Sequence, residues 1–256
     1  MMKKTILSKK ELKILEKIIV KYGYIVSSHD IKGLLSNYSY DEVNQEIKFL
    51  VNRGWLIRIK RSYYVVANLE SHNFSNISPL IISRIFVPDS YISFEFSLNY
   101  HGLFDQLPNR VVAVTTLKSK RYNFQNIEYK FVKAKSEMIF GFEEVEIDQQ
   151  IARVASVEKA ILDFLHFRKD IYTIDLIIEK LKEVKDDISY SKLADYAAVY
   201  PVALKRRLGF ILDIIGIDSV ELNKAVRKIP GFVKLTKNSN IFNAKWRIYY
   251  EDRFIK

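Results

Sequence analysis

Ser97, His101 and Asp105 stand at even four-residue spacing in SFEFSLNYHGLFDQLPNR, residues 93–110. These are the side chains of nucleophilic catalysis, in which a histidine takes the serine proton and an acid orients the histidine. On a helix, Ser97 and His101 share one face with Phe94 and Leu98. Ser93 is placed to cap that helix, Glu95 falls in its first turn, and Gly102 can end it. Asp105 then lies in the loop before Pro108. No strand–turn–helix elbow surrounds Ser97, and no Gly-rich oxyanion loop is near. The expectation is a small serine and a half-buried histidine within a scaffold, and no catalytic residue.

Other reactive sets are thin. The histidines at 29, 72, 101 and 166 are scattered and form no HExxH. Asp163 and His166, three apart on one helix face, could form half a metal site, but such a pair is more often structural. The eight glycines form neither GxGxxG nor a P-loop. The chain has no cysteine, which removes disulfides, thiolate metal sites and cysteine nucleophiles. No metal, no cofactor and no enzymatic activity are expected.

The side chains suited to a polyanion are more telling. Net charge is +11, and residues 1–68 hold 13 Lys and Arg against 6 Asp and Glu, a net of +7. A segment of that kind suggests nucleic acid, although a solvated basic surface has the same composition. Asn44 and Gln45 carry the paired donors and acceptors that fit an adenine edge. Ser39, Tyr40 and Lys48 can bond phosphates or bases. Arg58, Lys60 and Arg61 would hold phosphates, which gives affinity with little sequence choice. A second cluster, Lys205, Arg206 and Arg207, could face DNA, an acidic partner or solvent.

These residues need elements to position them. Ser8 with Glu11, Ser27 with Asp30, and Ser39 with Glu42 each fit a capping box and predict three helix starts. Leu12, Leu15, Ile19 and Tyr22 make an apolar stripe on the first helix, and Gly23 can close it. Val43, Ile47, Leu50 and Val51 do the same on the third, which ends before Gly54. In WLIRIKRSYYVVAN, Ile57 and Ile59 alternate with Arg58 and Lys60, and a turn falls near Arg61-Ser62. Three helices followed by a basic hairpin is the order of a winged helix-turn-helix, whose third helix enters the major groove. Residues 1–68 therefore read as a DNA-binding domain, and the polar stretch 68–79 as a linker.

Residues 80–256 read as a mixed domain, so the chain is expected to be α+β. Strands are expected at 111–116 and 127–134, and in the final KWRIYY. LIISRIFV, residues 80–87, fits a buried strand or a short helix. Helices are expected at 156–168, at 173–185 and in LKRRLGFILDIIG, closing at Gly216. At 48% apolar content the chain should fold. It shows neither a membrane-length apolar run nor a signal peptide, so a cytoplasmic protein is expected.

Taken in order, these motifs resemble the AbiE abortive-infection antitoxins. YISFEFSLNYHGLFDQLPNRVVAVTT is similar to their central helix-and-loop leading into a strand. ASVEKAILDFL and LKRRLGFILDIIGI resemble two of their helices, KLTKNSNIFNAKWRI their C-terminal end, and GWLIRIKRSYY their wing. Ser62 stands where the family often has glycine, and Lys237 where it usually has proline. The resemblance implies an N-terminal winged helix-turn-helix followed by a mixed α/β antitoxin domain with C-terminal helices. It implies a type IV antitoxin encoded beside a nucleotidyltransferase-like toxin. Such a protein binds inverted repeats in its own promoter, represses its operon and counteracts the toxin through its C-terminal region.

Two other classes compete. A winged-helix transcriptional regulator with a ligand-sensing C-terminal domain would be stabilised by a metabolite that releases DNA. An enzyme acting on nucleic acid would need a carboxylate cluster for metal, and no suitable spacing is present.

Overall fold

The computed structural model describes residues 7–67, 77–106, 108–147 and 149–255. Most of the expected linker, residues 68–76, lies outside them, as does His72. The chain divides into two compact units, and the division is discontinuous in sequence. One unit holds the residues up to Pro88 together with Glu144–Ala152; the other holds Asp89–Glu143 and the residues from Arg153 on. Helix and strand mix in both, so the class is α+β.

The first unit runs α1 (Lys9–Tyr22), β1 (Ile25–Ser27), α2 (Ser28–Leu34), α3 (Tyr40–Arg53), β2 (Leu56–Lys60), β3 (Tyr63–Val66) and α4 (Pro79–Phe86). All three expected capping boxes form: the hydroxyls of Ser8, Ser27 and Ser39 accept from the third helical N–H, and Glu11, Asp30 and Glu42 reach back. Each cap contributes about 1 kcal/mol. Gly54, at φ +82°, closes α3 in the left-handed region. The three short strands form one antiparallel sheet in the order β1-β3-β2. Leu15, Ile18, Ile31, Val43, Leu50 and Val66 fill the core between helices and sheet.

Two local expectations shift. The buried stripe of α1 is Glu11, Ile14, Leu15 and Ile18, and Leu12 is 37% exposed. In the hairpin the register shifts between Arg58 and Lys60, so strict alternation fails. Leu56 and Ile59 are buried there, and Ile57 is only half-buried. Residues 80–86 are helical and Val87 is extended: Pro79 at the first helical position and the Ser78 cap start α4.

The second unit contains β4 (Tyr91–Ser93), α5 (Phe94–Tyr100), β5 (Arg110–Thr115), β6 (Lys120–Phe124), β7 (Ile127–Lys133), β8 (Phe142–Ile147) and β9 (Gln150–Ala155). The joining end of β8 and β9 belongs to the first unit. These strands form a mixed sheet in the order β6-β7-β5-β4-β9-β8. Then follow α6 (Val157–Phe167), α7 (Ile171–Glu183), α8 (Tyr190–Ala197), α9 (Val202–Ile214) and α10 (Val220–Val226). A small sheet ends the chain: β10 (Val233–Lys234) pairs in parallel with β12 (Ile248–Tyr250), and β11 (Ile241–Asn243) pairs antiparallel with it. Its inner side joins one apolar core with α6, α7 and α9. No helix among the described residues is long and apolar enough to cross a membrane.

Candidate nucleic-acid interface

The polar face of α3 is set by its cap and its core stripe. With Val43, Ile47 and Leu50 turned inward, Tyr40, Asn44 and Lys48 fall on one outward stripe at i, i+4 and i+8. Tyr40 is 67% exposed. The ammonium of Lys32, on α2, lies 3.5 Å from its ring centre. Hydrogen bonding to Lys32, then to Asn44, pulls the Tyr40 phenol below its ordinary pKa. The structure therefore adds Lys32 to this group. Sequence reading missed it because the turn between α2 and α3 decides which side chains meet.

Ser39 and Gln45 stand differently from the rest. The Ser39 hydroxyl accepts from the Glu42 N–H at 3.3 Å, so one lone pair is committed to the cap. Gln45 lines a separate groove with Glu11, Glu42, Glu46 and Phe49. Lys10 and Arg53 line it too and pair with Glu46 and Glu11, so the groove is of mixed charge. The acids on α3 itself are Asp41, Glu42 and Glu46, and two of them have internal work. Glu42 returns to the Ser39 N–H at 2.7 Å, and Glu46 pairs with Lys10.

Arg58 and Arg61 of the β2–β3 hairpin are exposed, and Lys60 is half-buried. Arg58 faces Tyr64 across the strands and donates to its hydroxyl at 3.4 Å. Lys60 lies 4.9 Å from the ring of Tyr63, and burial lowers its pKa. Arg58 thus lies along Tyr64 and Lys60 along Tyr63, and Arg61 is exposed at the turn.

The cluster Lys205, Arg206 and Arg207 is not the open basic patch its sequence suggests. Arg206 is 2% and Arg207 5% exposed. Arg206 donates to the carbonyls of Ile229 at 2.6 Å and Gly231 at 2.8 Å. Arg207 donates to Lys234 O at 3.1 Å and Leu165 O at 3.2 Å. Both guanidiniums tie α9 to the strand and loop that follow α10, so neither can face a partner. Lys205, half-buried, donates to Ala198 O at 2.8 Å.

The opening serine and histidine form no catalytic pair. The Ser97 hydroxyl is fully buried and donates to Ala155 O at 2.8 Å. His101 Nε2 lies 2.8 Å from the same oxygen and so must also be a donor. A nitrogen that donates to a carbonyl cannot take a proton from Ser97. Ser93 does not cap α5; its hydroxyl donates to Asp163 Oδ2 at 2.8 Å. The turn from β4 into α5 is nevertheless sharp, with Phe94 at φ +61°. Its side chain is buried edge-on against Phe164, so packing holds the strained residue.

Asp163 is a buried hub and not half of a metal site. It accepts from Tyr91 at 3.0 Å, from Ser93, from Tyr200 at 2.8 Å and from Lys159 at 2.5 Å. Lys159 is itself fully buried, and burial lowers its pKa against the pull of Asp163. His166 packs edge-on to Tyr200 and Phe167. Among the described residues, no group of three His, Asp or Glu side chains could hold a metal ion.

No family model matches the chain. No curated protein matches it. Among solved structures, it is similar to the RV2827C protein from Mycobacterium tuberculosis: 11% identity, TM-score 0.70, covering 96% of this chain and 92% of that one. At that identity the likeness is one of fold, and it extends over both units.

Proposed function

We propose that the chain is a promoter-binding repressor that also serves as the antitoxin of a nucleotidyltransferase-like toxin. The observation that carries the DNA-binding half is the first unit's plan. Its elements follow the order α1-β1-α2-α3-β2-β3, with the sheet order β1-β3-β2. This order supports a winged helix-turn-helix, in which α3 enters the major groove and the β2–β3 hairpin is the wing. Tyr40, Asn44 and Lys48 would meet bases or phosphates, Ser39 and Lys32 the flanking backbone, and Arg58, Lys60 and Arg61 the phosphates beside the groove. Gln45 would stand apart from that stripe, in a groove of mixed charge.

The antitoxin half rests on the ordered AbiE-like motifs. Both partners, the cell's DNA and the toxin, would place the protein in the cytoplasm. Binding to its own upstream DNA and to a scrambled duplex, at several salt concentrations, tests the first half. Preference for the upstream DNA supports a specific repressor; equal, salt-sensitive binding to both removes the autorepressor reading. Co-expression with the neighbouring gene product tests the second half, and unrelieved growth arrest would count against it.

A further inference from the structure

The small C-terminal sheet has an inner face and an outer face, and the two differ sharply. Leu235 and Ile248 are fully buried, and Val233 and Tyr250 pack against the same core. On the outer side, Phe232 is 65% and Phe242 49% exposed. Tyr249 sits between them, 5.3 Å from the Phe232 ring centre and 5.1 Å from that of Phe242. Phe242 and Tyr249 are direct cross-strand partners, and Lys234 pairs with Tyr249 from the other side. Two open aromatic rings are thus held apart by a third, with an exposed cation beside them. Exposed rings grouped in this way can serve as an interaction site.

Charge indicates what would bind. Residues 227–250 contain six Lys and Arg and no Asp or Glu. Lys234, Lys237 and Arg247 are all exposed. Among the described residues, Lys234 and Lys237 have no carboxylate within ion-pair distance. An apolar protein groove would match the rings but leave the cations without partners. A duplex would match the cations but keep its base faces stacked away from the rings. A strand with free bases and a phosphate backbone satisfies both sets at once.

We infer that this outer face binds single-stranded nucleic acid, stacking bases on Phe232 and Phe242 and holding phosphates with Lys234, Lys237 and Arg247. Tyr249 sets the distance between the two rings. Arg206 and Arg207 support the platform from beneath through the carbonyls of residues 229, 231 and 234. The inference does not depend on duplex binding by the first unit.

The test uses the full chain carrying Lys60→Ala and Arg61→Ala, which weakens the other polyanion surface. Fluorescence anisotropy is read with labelled oligo(dT) and oligo(U) of about twelve nucleotides, and with a duplex of the same length. Single-strand binding should depend on the C-terminal sheet, and duplex binding should not. Phe232→Ala and Phe242→Ala should each weaken single-strand binding about tenfold. Lys234→Ala should reduce the slope of log affinity against log salt by about 0.7. Both rings are exposed, so unchanged emission from the two tryptophans would show that the fold is kept. The inference falls if the Phe232→Ala/Phe242→Ala double variant binds single strands as before. It also falls if that double variant loses duplex binding to the same degree, or if single strands are not bound.

Discussion

Gly209 lies against the indole of Trp246 so closely that a Cβ at residue 209 would stand 2.0 Å from Cη2. Trp246 is fully buried, and its Nε1 donates to Asp213 at 2.7 Å, so the ring has no room to retreat. Gly209→Ala should therefore destabilise the second unit by about 3 kcal/mol, through overpacking and not through lost helix propensity. Urea unfolding followed by tryptophan emission measures it. An unchanged midpoint would mean that the indole can shift after all.

Lys159 and Asp163 form a fully buried ion pair whose remaining lone pairs are taken by hydroxyl groups. Lys159→Met leaves a buried carboxylate, and Asp163→Asn leaves a buried ammonium. Each single change should cost about 3–5 kcal/mol. The double variant should cost clearly less than the sum, because neither charge is then left alone. A thermodynamic double-mutant cycle decides the point, and strict additivity would contradict the pairing.

How far these features could be read from the sequence depends on how local their chemistry is. The three capping boxes span four residues each, and all three formed where the Ser and acid spacing placed them. Arg206 and Arg207 were read as surface because charged side chains usually are. Their acceptor carbonyls lie 23 to 27 residues onward in most cases, across α10 and a loop. Ser93 has a capping position, yet its hydroxyl goes to an aspartate 70 residues later. β6, with burial confined largely to Phe124, carries almost no periodic signal. The stripe of Tyr40, Asn44 and Lys48 was legible from helix period; its neighbour Lys32 was not, since a turn and not a period brings it there.

Ser62 offers a test of backbone strain. It occupies φ +65° in the β2–β3 turn, a region that a side chain disfavours by about 1–2 kcal/mol. Its carbonyl accepts from Ser28 N–H at 2.8 Å, which holds the turn against α2. Ser62→Gly should raise stability by up to about 1 kcal/mol, less whatever glycine gains in unfolded freedom. Differential scanning calorimetry should show a higher melting temperature, and a lower one would mean the serine side chain itself stabilises the turn.

His166 gives a pH dependence with a definite sign. Burial, outweighing the nearby Asp163, lowers its pKa below the ordinary 6.5. The unfolded chain then binds the proton more readily than the folded one. The histidine's contribution is full above about pH 6.5 and is lost as pH falls through the folded value. His166→Phe preserves an aromatic edge against Tyr200 and Phe167 and should flatten the stability curve between pH 7 and 5. A curve as steep as that of the unsubstituted chain would assign the slope to another group.

The division of labour along α3 has a consequence for how the protein can change. Its start is held by Ser39 and Glu42, its seat by Val43, Ile47 and Leu50, and its exit by Gly54. Asn44 and Lys48 belong to none of these sets. Substitutions at the two positions alter what the helix presents without touching what keeps it folded. If the proposed duplex binding holds, the outward stripe is in that sense a replaceable address on a fixed carrier. New targets could then be explored there by mutation, or selected in a library, with no compensating change elsewhere in the chain.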